Sequence, residues 1–343
     1  MTPKALRLPS RHVIARAAML RAHAGCRLAL VLILPLLLGA CGAKPAAPAN
    51  RDLSQLAALP LASGEELQVV ATTSVVGDVV GRIGGDRIEL TTLMGLGADP
   101  HTYVATPSDS AAVHDAHVLF SNGAGLEEGM SELALDTSGG AVHVPLSDSL
   151  ALLVTAHGDE AVGQPDPHVW FDVQNMLAWT SIVLETLSAL DPANRSSYQA
   201  SADAFAQELE DLDEWILEQV AIVPQANRRL VTNHETLGYF ARRYGFELVG
   251  AVYPLSPSSE PSARDLAGLE EVIRQYGLSV LFTEGTVSPV LADQVARDTG
   301  VRLVPLYTES LGPPGSGAES YIAMIRYDVQ AIVAALTSVP GLE

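Results

Sequence analysis

From about residue 68 the chain alternates between two rhythms. Short apolar runs bounded by turn residues predict buried strands, and longer stretches with apolar residues every three or four positions predict helices. In the first half strands are expected at Gln68–Thr73, Ile88–Leu93, His117–Ser121 and Val142–Pro145. Ser74 is placed to cap the helix after the first strand, and Pro107 suits the first position of another. A helix is expected around Leu126–Leu135, and helix resumes from about Asp172 after a polar loop, Thr155–Pro165. In the second half strands are expected at Arg229–Thr232, Glu247–Val252, Ser279–Thr283 and Val301–Tyr307. Helices at Leu237–Tyr244, Ser262–Tyr276, Pro289–Thr299 and Ala318–Leu336 alternate with them. This alternation predicts an α/β fold with two lobes, each a mainly parallel sheet flanked by helices.

One pattern is longer than the rest. Tyr198, Ala202, Phe205, Leu209, Leu212, Ile216 and Val220 recur at spacings of three or four, with Glu208, Glu210, Asp211, Asp213 and Glu214 largely between them. They predict a single helix with one apolar stripe, opened by Asp191 as cap and Pro192 as first residue, and stopped by Pro224. A helix of about 30 residues spans roughly 45 Å, enough to join two small domains as a stiff connector. The expected divisions are residues 1–40 and 41–63 ahead of the body, a lobe at 64–190, the connecting helix at 191–223, and a lobe at 224–343.

The first forty residues fit neither lobe. Lys4, Arg7, Arg11, Arg16, Arg21 and Arg27 precede or flank an apolar run from Leu28 to Leu38, and no acid occurs before residue 50. A basic start, a short apolar core and small residues at its end make an export signal. The run is too short for a spanning helix, which needs about 20 residues. Residues 41–63, rich in Ala and Pro, read as a flexible tether. Loss of the six basic residues before position 41 takes the formal charge from −20 to −26. Such a surface excludes nucleic acid as a partner and favours the approach of cations. The only cysteines are Cys26 and Cys41, so the body has no disulfide and no thiolate ligand, and any metal site must be built from nitrogen and oxygen.

Candidate chemistry starts from a repeated tripeptide. Asp-Pro-His occurs at Asp99-Pro100-His101 and again at Asp166-Pro167-His168. The proline stiffens the approach to each histidine and keeps the preceding aspartate extended. In open α/β sheets ligands bind beyond the carboxyl ends of strands. His101 lies in the loop after the strand Ile88–Leu93, and His168 precedes a helix in the same half. His234 follows the strand Arg229–Thr232 by two residues, and Glu309 follows Val301–Tyr307 by two. Three imidazoles and a carboxylate suit a divalent metal of borderline hardness, such as zinc or manganese. Asp99, Asp166, Glu235 and Glu284 are candidates to accept hydrogen bonds from the ligand imidazoles. His114, His117, His143 and His157 lack the Asp-Pro lead. His117 and His143 lie in or near strands and read as structural, and His157 reads as part of a solvated acidic loop.

These segments resemble the metal-binding lipoproteins of ABC importers for zinc and manganese, the cluster with a rigid connecting helix. The resemblance runs over about residues 67–340. It rests on Asp99-Pro100-His101-Thr102-Tyr103 with Thr106-Pro107-Ser108-Asp109, on Asp166-Pro167-His168-Val169-Trp170, on Thr232-Asn233-His234-Glu235 with Gly238-Tyr239-Phe240, and on Leu306-Tyr307-Thr308-Glu309-Ser310-Leu311-Gly312. It implies His101, His168, His234 and Glu309 as metal ligands. The ending Leu38-Gly39-Ala40-Cys41 resembles a bacterial lipobox, which implies cleavage before Cys41 and a lipid on its sulfur that anchors the protein outside the cytoplasm, on a periplasmic or cell-wall face. The fourth ligand is usually aspartate in the family. Glu309 adds a methylene, which lets the carboxylate reach further or bind with both oxygens. Histidine at the third position leans the choice towards zinc, while the short loop Thr155–Pro165 argues against zinc alone.

The expected protein is a monomeric extracytoplasmic carrier, not an enzyme, that binds zinc or manganese and passes it to an ABC permease. The competing readings are an extracellular zinc hydrolase, with Glu309 off the metal as general base, and an adhesin with a structural metal. No His-Glu-x-x-His helix supports the first, and four ligands would close the open position that catalytic zinc keeps for water.

Overall fold

Short, mainly apolar runs make two four-stranded parallel sheets whose central strands are buried on both faces and whose edge strands are partly exposed. In a computed structural model that describes residues 56–62, 64–127, 130, 137–154, 163–253, 261–286 and 288–338, the first sheet holds β1 (Leu67–Ala71), β2 (Ile88–Thr92), β3 (Val118–Ser121) and β4 (Val142–Pro145) in the order β2-β1-β3-β4. The second holds β5 (Arg229–His234), β6 (Glu247–Tyr253), β7 (Val280–Glu284) and β8 (Arg302–Leu306) in the equivalent order β6-β5-β7-β8. All pairings are parallel. The helices are α1 (Ser74–Gly84), α2 (Pro107–Asp115), α3 (Val173–Leu190), α4 (Arg195–Ala221), α5 (Gly238–Tyr244), α6 (Ala263–Tyr276), α7 (Val290–Thr299) and α8 (Tyr321–Thr337). The expected signal segment, residues 41–55 of the tether with Cys41, His157, most of the helix at Leu126–Leu135 and most of the loop Thr155–Pro165 lie outside the described residues. The end of the expected tether is not flexible: Leu56, Leu59 and Leu61 pack against the core, and the Leu59 N–H bonds to the Leu190 carbonyl. Among the described residues, no helix is long and apolar enough to cross a membrane.

The long amphipathic pattern folds as α4, 27 residues or about 40 Å of helix. Its stripe, Tyr198 to Val220, is buried throughout. The stripe packs on α3 and α1 from the first half of the chain and on α8 from the end of the second, so one apolar core runs through both. Each fully buried large side chain on such a stripe contributes about 1.5–3 kcal/mol.

Three local expectations need correction. Thr73, not Ser74, caps α1: its hydroxyl accepts the Val76 N–H. The Ser74 hydroxyl is taken by the second half of the chain, where it accepts the Leu311 N–H at 3.0 Å. Asp191 does not cap the long helix either. Pro192–Asn194 form a separate 3₁₀ turn before α4. The Asp191 carboxylate accepts the Tyr198 hydroxyl and the Asn194 amide instead, at 2.8 and 2.7 Å. Finally, β5 runs on to His234, because that residue still pairs with Tyr253 of β6.

Asp328 is a buried carboxyl on α8 that works against the fold at neutral pH. Its Oδ1 accepts the Tyr307 N–H at 2.9 Å, and among the described residues Oδ2 meets no donor. Burial, with the Glu284 charge adding to it, pushes its pKa well above the carboxylate range despite that hydrogen bond. A carboxyl with a raised folded pKa costs no stability below its unfolded pKa, and stability is lost as pH rises from there towards the folded value. Asp328→Asn keeps the acceptor and removes the charge. It is expected to raise Tm at pH 7, by about 2–4 °C for each kcal/mol recovered, with the gain vanishing near pH 4. A lower Tm at pH 7, read by calorimetry, would mean that the fold uses the carboxylate.

Candidate metal centre

The two Asp-Pro-His copies begin alike. In each, the aspartate Oδ1 accepts the backbone N–H of the histidine two residues on, at 2.9 Å for Asp99 and 3.0 Å for Asp166. They then diverge. The Asp166 Oδ1 also meets the His168 ring, 2.7 Å from Nδ1, and so turns Nε2 into the centre. Asp99 spends its second oxygen on the Thr102 hydroxyl, at 2.9 Å. Aspartate is therefore a ring partner in the second copy and a turn-former in the first. His168 sits just before the buried 3₁₀ turn Val169–Phe171, whereas His101 sits in the loop between β2 and α2. His234 closes β5, and Glu309 lies three residues beyond β8.

Each of His101, His168, His234 and Glu309 offers one ligand atom, and these atoms all lie within 4.8 Å of one another. The Nε2 atoms of His101 and His168 are 3.2 Å apart. Glu309 Oε1 is 3.2 Å from His168 Nε2 and 3.5 Å from His234 Nδ1, and Oε2 is 3.9 Å from His101 Nε2. His168, His234 and Glu309 are buried, and His101 is half-buried. Among the described residues neither Glu309 oxygen accepts a hydrogen bond of good geometry, so its lone pairs face the imidazoles uncommitted.

The electrostatics follow from burying bases around one acid. Burial drives His101 down to about 3, the Glu309 charge only partly opposing it. Burial works the same way on His168, but Glu309 and Asp166 outweigh it and lift the ring to about 10. His234 is also raised, because Glu309 and Glu284 overcome burial. Burial would raise Glu309, yet His168 above all, with His234 and His101, holds it well below the carboxylate range. The result is an ionised carboxylate ringed by three imidazoles out of water. Such a nitrogen-rich set matches zinc, and also manganese, by donor type. Two of the alternative histidines are spent elsewhere: His117 Nδ1 accepts the Gln68 N–H, and His143 Nε2 pairs with the Ser121 hydroxyl.

The ligands are supported by further residues, some inside the motif segments and some, such as Asn122 and Gly97, outside them. Trp170 donates its indole N–H to the Thr308 carbonyl at 2.9 Å, tying the His168 turn to the chain just before Glu309. The Tyr239 hydroxyl donates to the Asp166 carbonyl at 3.0 Å and accepts the Leu153 N–H. Gly238 is needed beside it, since a Cβ there would stand 2.7 Å from Asp166 Oδ2. Asn122 donates to the Pro167 carbonyl at 3.0 Å. Ser310 accepts the Gly97 N–H at 2.8 Å and pairs with Ser74, so the loop of His101 is held to the segment of Glu309. A pocket of about 210 Å³ between Leu96, Gly97, Tyr307 and Pro313 has the segment Thr308–Ser310 in its wall. The signal for most of these was present: a polar-tipped aromatic, glycine or hydroxyl residue adjoins each ligand.

The chain is similar to known metal-binding proteins over most of its length. Residues 69–335 match the model of a family described as zinc-uptake complex component A, periplasmic. The chain is 32% identical over 309 residues to the manganese-binding lipoprotein MntA of Halalkalibacterium halodurans, covering 90% of this chain and 97% of that one. It is 34% identical over 281 residues to the zinc-binding protein TroA of Treponema pallidum, covering 80% and 90%. Among solved structures, periplasmic TroA superposes with a TM-score of 0.73 at 30% identity, over 79% of this chain and 99% of that one. A manganese-bound periplasmic metal-binding protein of Candidatus Liberibacter asiaticus superposes with a TM-score of 0.71 at 26% identity, over 79% and 100%.

Proposed function

The chain belongs to the periplasmic zinc-uptake component A family, and from that membership we propose that it captures zinc or manganese outside the cytoplasm through His101, His168, His234 and Glu309 and passes the ion to an ABC importer. Its relatives are solute-binding proteins rather than enzymes, which sets aside the hydrolase and adhesin readings. The observation that carries the ligand assignment is the convergence of four donor atoms, from four separate segments, within 4.8 Å. Three nitrogens and one oxygen favour zinc as cargo over manganese.

The same reading extends to the rest of the molecule. Residues 64–190 and 224–343 act as lobes on either side of the stiff segment 191–223, and opening is a small tilt or a movement of the loop around His101. Cys41 carries the lipid, and the protein meets its permease as a monomer. Relatives described as lipoproteins of metal ABC transporters support this placement.

The test is competitive titration of the chelator-stripped body with zinc and manganese in parallel. One ion per chain is expected. At an ion concentration a hundred times Kd, binding adds about 2.7 kcal/mol to stability, so at equal concentration Tm should rise more with the tighter-binding ion, by an amount that follows the logarithm of its affinity. Absence of stoichiometric binding by either ion would overturn the assignment.

A further inference from the structure

Glu284 closes β7 and His234 closes β5. These strands pair at Thr232 and Phe282, so two residues further on His234 and Glu284 stand side by side on one face of the sheet. In the order β6-β5-β7-β8 they are also the neighbours from which the chain winds in opposite directions, the place where open α/β sheets hold ligands. The Glu284 carboxylate is buried there and divides its two oxygens. Oε1 lies 3.6 Å from Nδ1 of His234. Oε2 accepts the hydroxyl hydrogen of Thr308, the residue before Glu309. Glu284 is not itself among the four converging ligands.

We propose that Glu284 is a positioning residue for both ligands of the second half: one oxygen orients the His234 ring, and the other, through the Thr308 hydroxyl, sets the chain at Glu309. The inference rests on the metal-site reading above and goes beyond it in naming what aims the site. A histidine that binds a metal commonly donates its remaining N–H to a carboxylate, which fixes the ring and makes it a better donor. His168 has Asp166 for this purpose. At Nδ1 of His234 two carboxylates compete at nearly equal range, Glu309 at 3.5 Å and Glu284 at 3.6 Å. When an ion draws Glu309 to itself, Glu284 is in place to take the N–H, leaving the other ring nitrogen for the ion. Thr308 completes the arrangement. Its carbonyl is held from the first half of the chain by the Trp170 indole, and its hydroxyl is held from the second half by Glu284. Glu309 thus leaves a segment pinned on both sides, and its own oxygens face the imidazoles of the centre.

Wild type, Glu284→Gln, Thr308→Val and His101→Ala are compared as the whole mature body. Zinc affinity is measured against a competing chelator, and the site geometry is read from the visible absorption of bound cobalt(II). Glu284→Gln keeps volume but puts an amide beside Nδ1, and Thr308→Val keeps shape but removes the hydroxyl. Both are expected to bind one ion about 10- to 100-fold more weakly, with altered cobalt bands and a metal-free Tm close to wild type. Wild-type affinity and wild-type cobalt spectra in both variants would overturn the proposal and leave Glu284 a packing residue. Should Glu284→Gln fail to fold, Thr308→Val decides by the same readings. Failure of wild type to bind, or undiminished binding by His101→Ala, would instead overturn the metal site and the present inference with it.

Discussion

His234→Ala is expected to weaken zinc binding by more than a hundred-fold while leaving the metal-free protein folded. Loss of an outer hydrogen-bond partner already costs 10- to 100-fold at metal sites, and loss of a ligand exceeds that. A hundred-fold corresponds to about 2.7 kcal/mol. His234 is fully buried, with its ring centroid 4.9 Å from those of both His101 and His168. Water cannot readily reach in to replace its nitrogen, so the ion keeps three protein donors. The metal-free state responds differently. Three imidazoles crowded round one carboxylate repel each other when charged, and removing one relieves that crowding while opening a cavity. These effects oppose, and the metal-free Tm is expected to stay within about 4 °C of wild type. The zinc-dependent rise in Tm should be nearly abolished. His117→Ala, which touches the β1 backbone and not the centre, provides the control. A His234→Ala protein that keeps the full zinc-dependent rise would remove His234 from the site.

The strand and helix alternation was legible because the central parallel strands, buried on both faces, write apolar runs, and because the α4 stripe keeps one rhythm over 27 residues. The four candidate ligands were legible for a different reason: each lies at or beyond the carboxyl end of a strand or on a stiff Asp-Pro lead. Where local rules failed, a distant group had claimed the side chain. Thr73 and Ser74 are both good caps, and Ser310 and the Leu311 N–H, far along the chain, claim the Ser74 hydroxyl. Asp191 reads as a cap until Tyr198 brings a hydroxyl to it. The unequal work of Asp99 and Asp166 was hidden likewise. Their tripeptides are identical, and the difference arises where Gly238 and Tyr239 press on one copy and not the other. Sequence periodicity reports which face is buried, but it does not report which partner buries it.

Trp170→Ala is expected to cost the most stability of any change near the centre, about 3–5 kcal/mol. The side chain is buried, packs edge-on against the His168 ring with centroids 5.4 Å apart, and lies against Phe171. Its indole N–H holds the Thr308 carbonyl, and its own carbonyl accepts the Tyr321 hydroxyl at 2.8 Å. Tyr321 in turn opens α8 and donates its backbone N–H to Asp78 on α1. Truncation therefore leaves a large cavity and an unpaired buried carbonyl at Thr308, where the two halves of the chain interlock. Urea unfolding of the metal-free protein should show the loss as a lower midpoint with an unchanged slope. Trp170→Phe separates the contributions. It keeps most of the ring against His168 and loses only the N–H, and so should cost about 1–3 kcal/mol. If alanine cost no more than phenylalanine, the packing of Trp170 would contribute nothing and the hydrogen bond alone would join the halves. If both were neutral, the halves would be held by the α4 stripe, and Trp170 would serve only as a wall for His168, visible in zinc affinity but not in the urea midpoint.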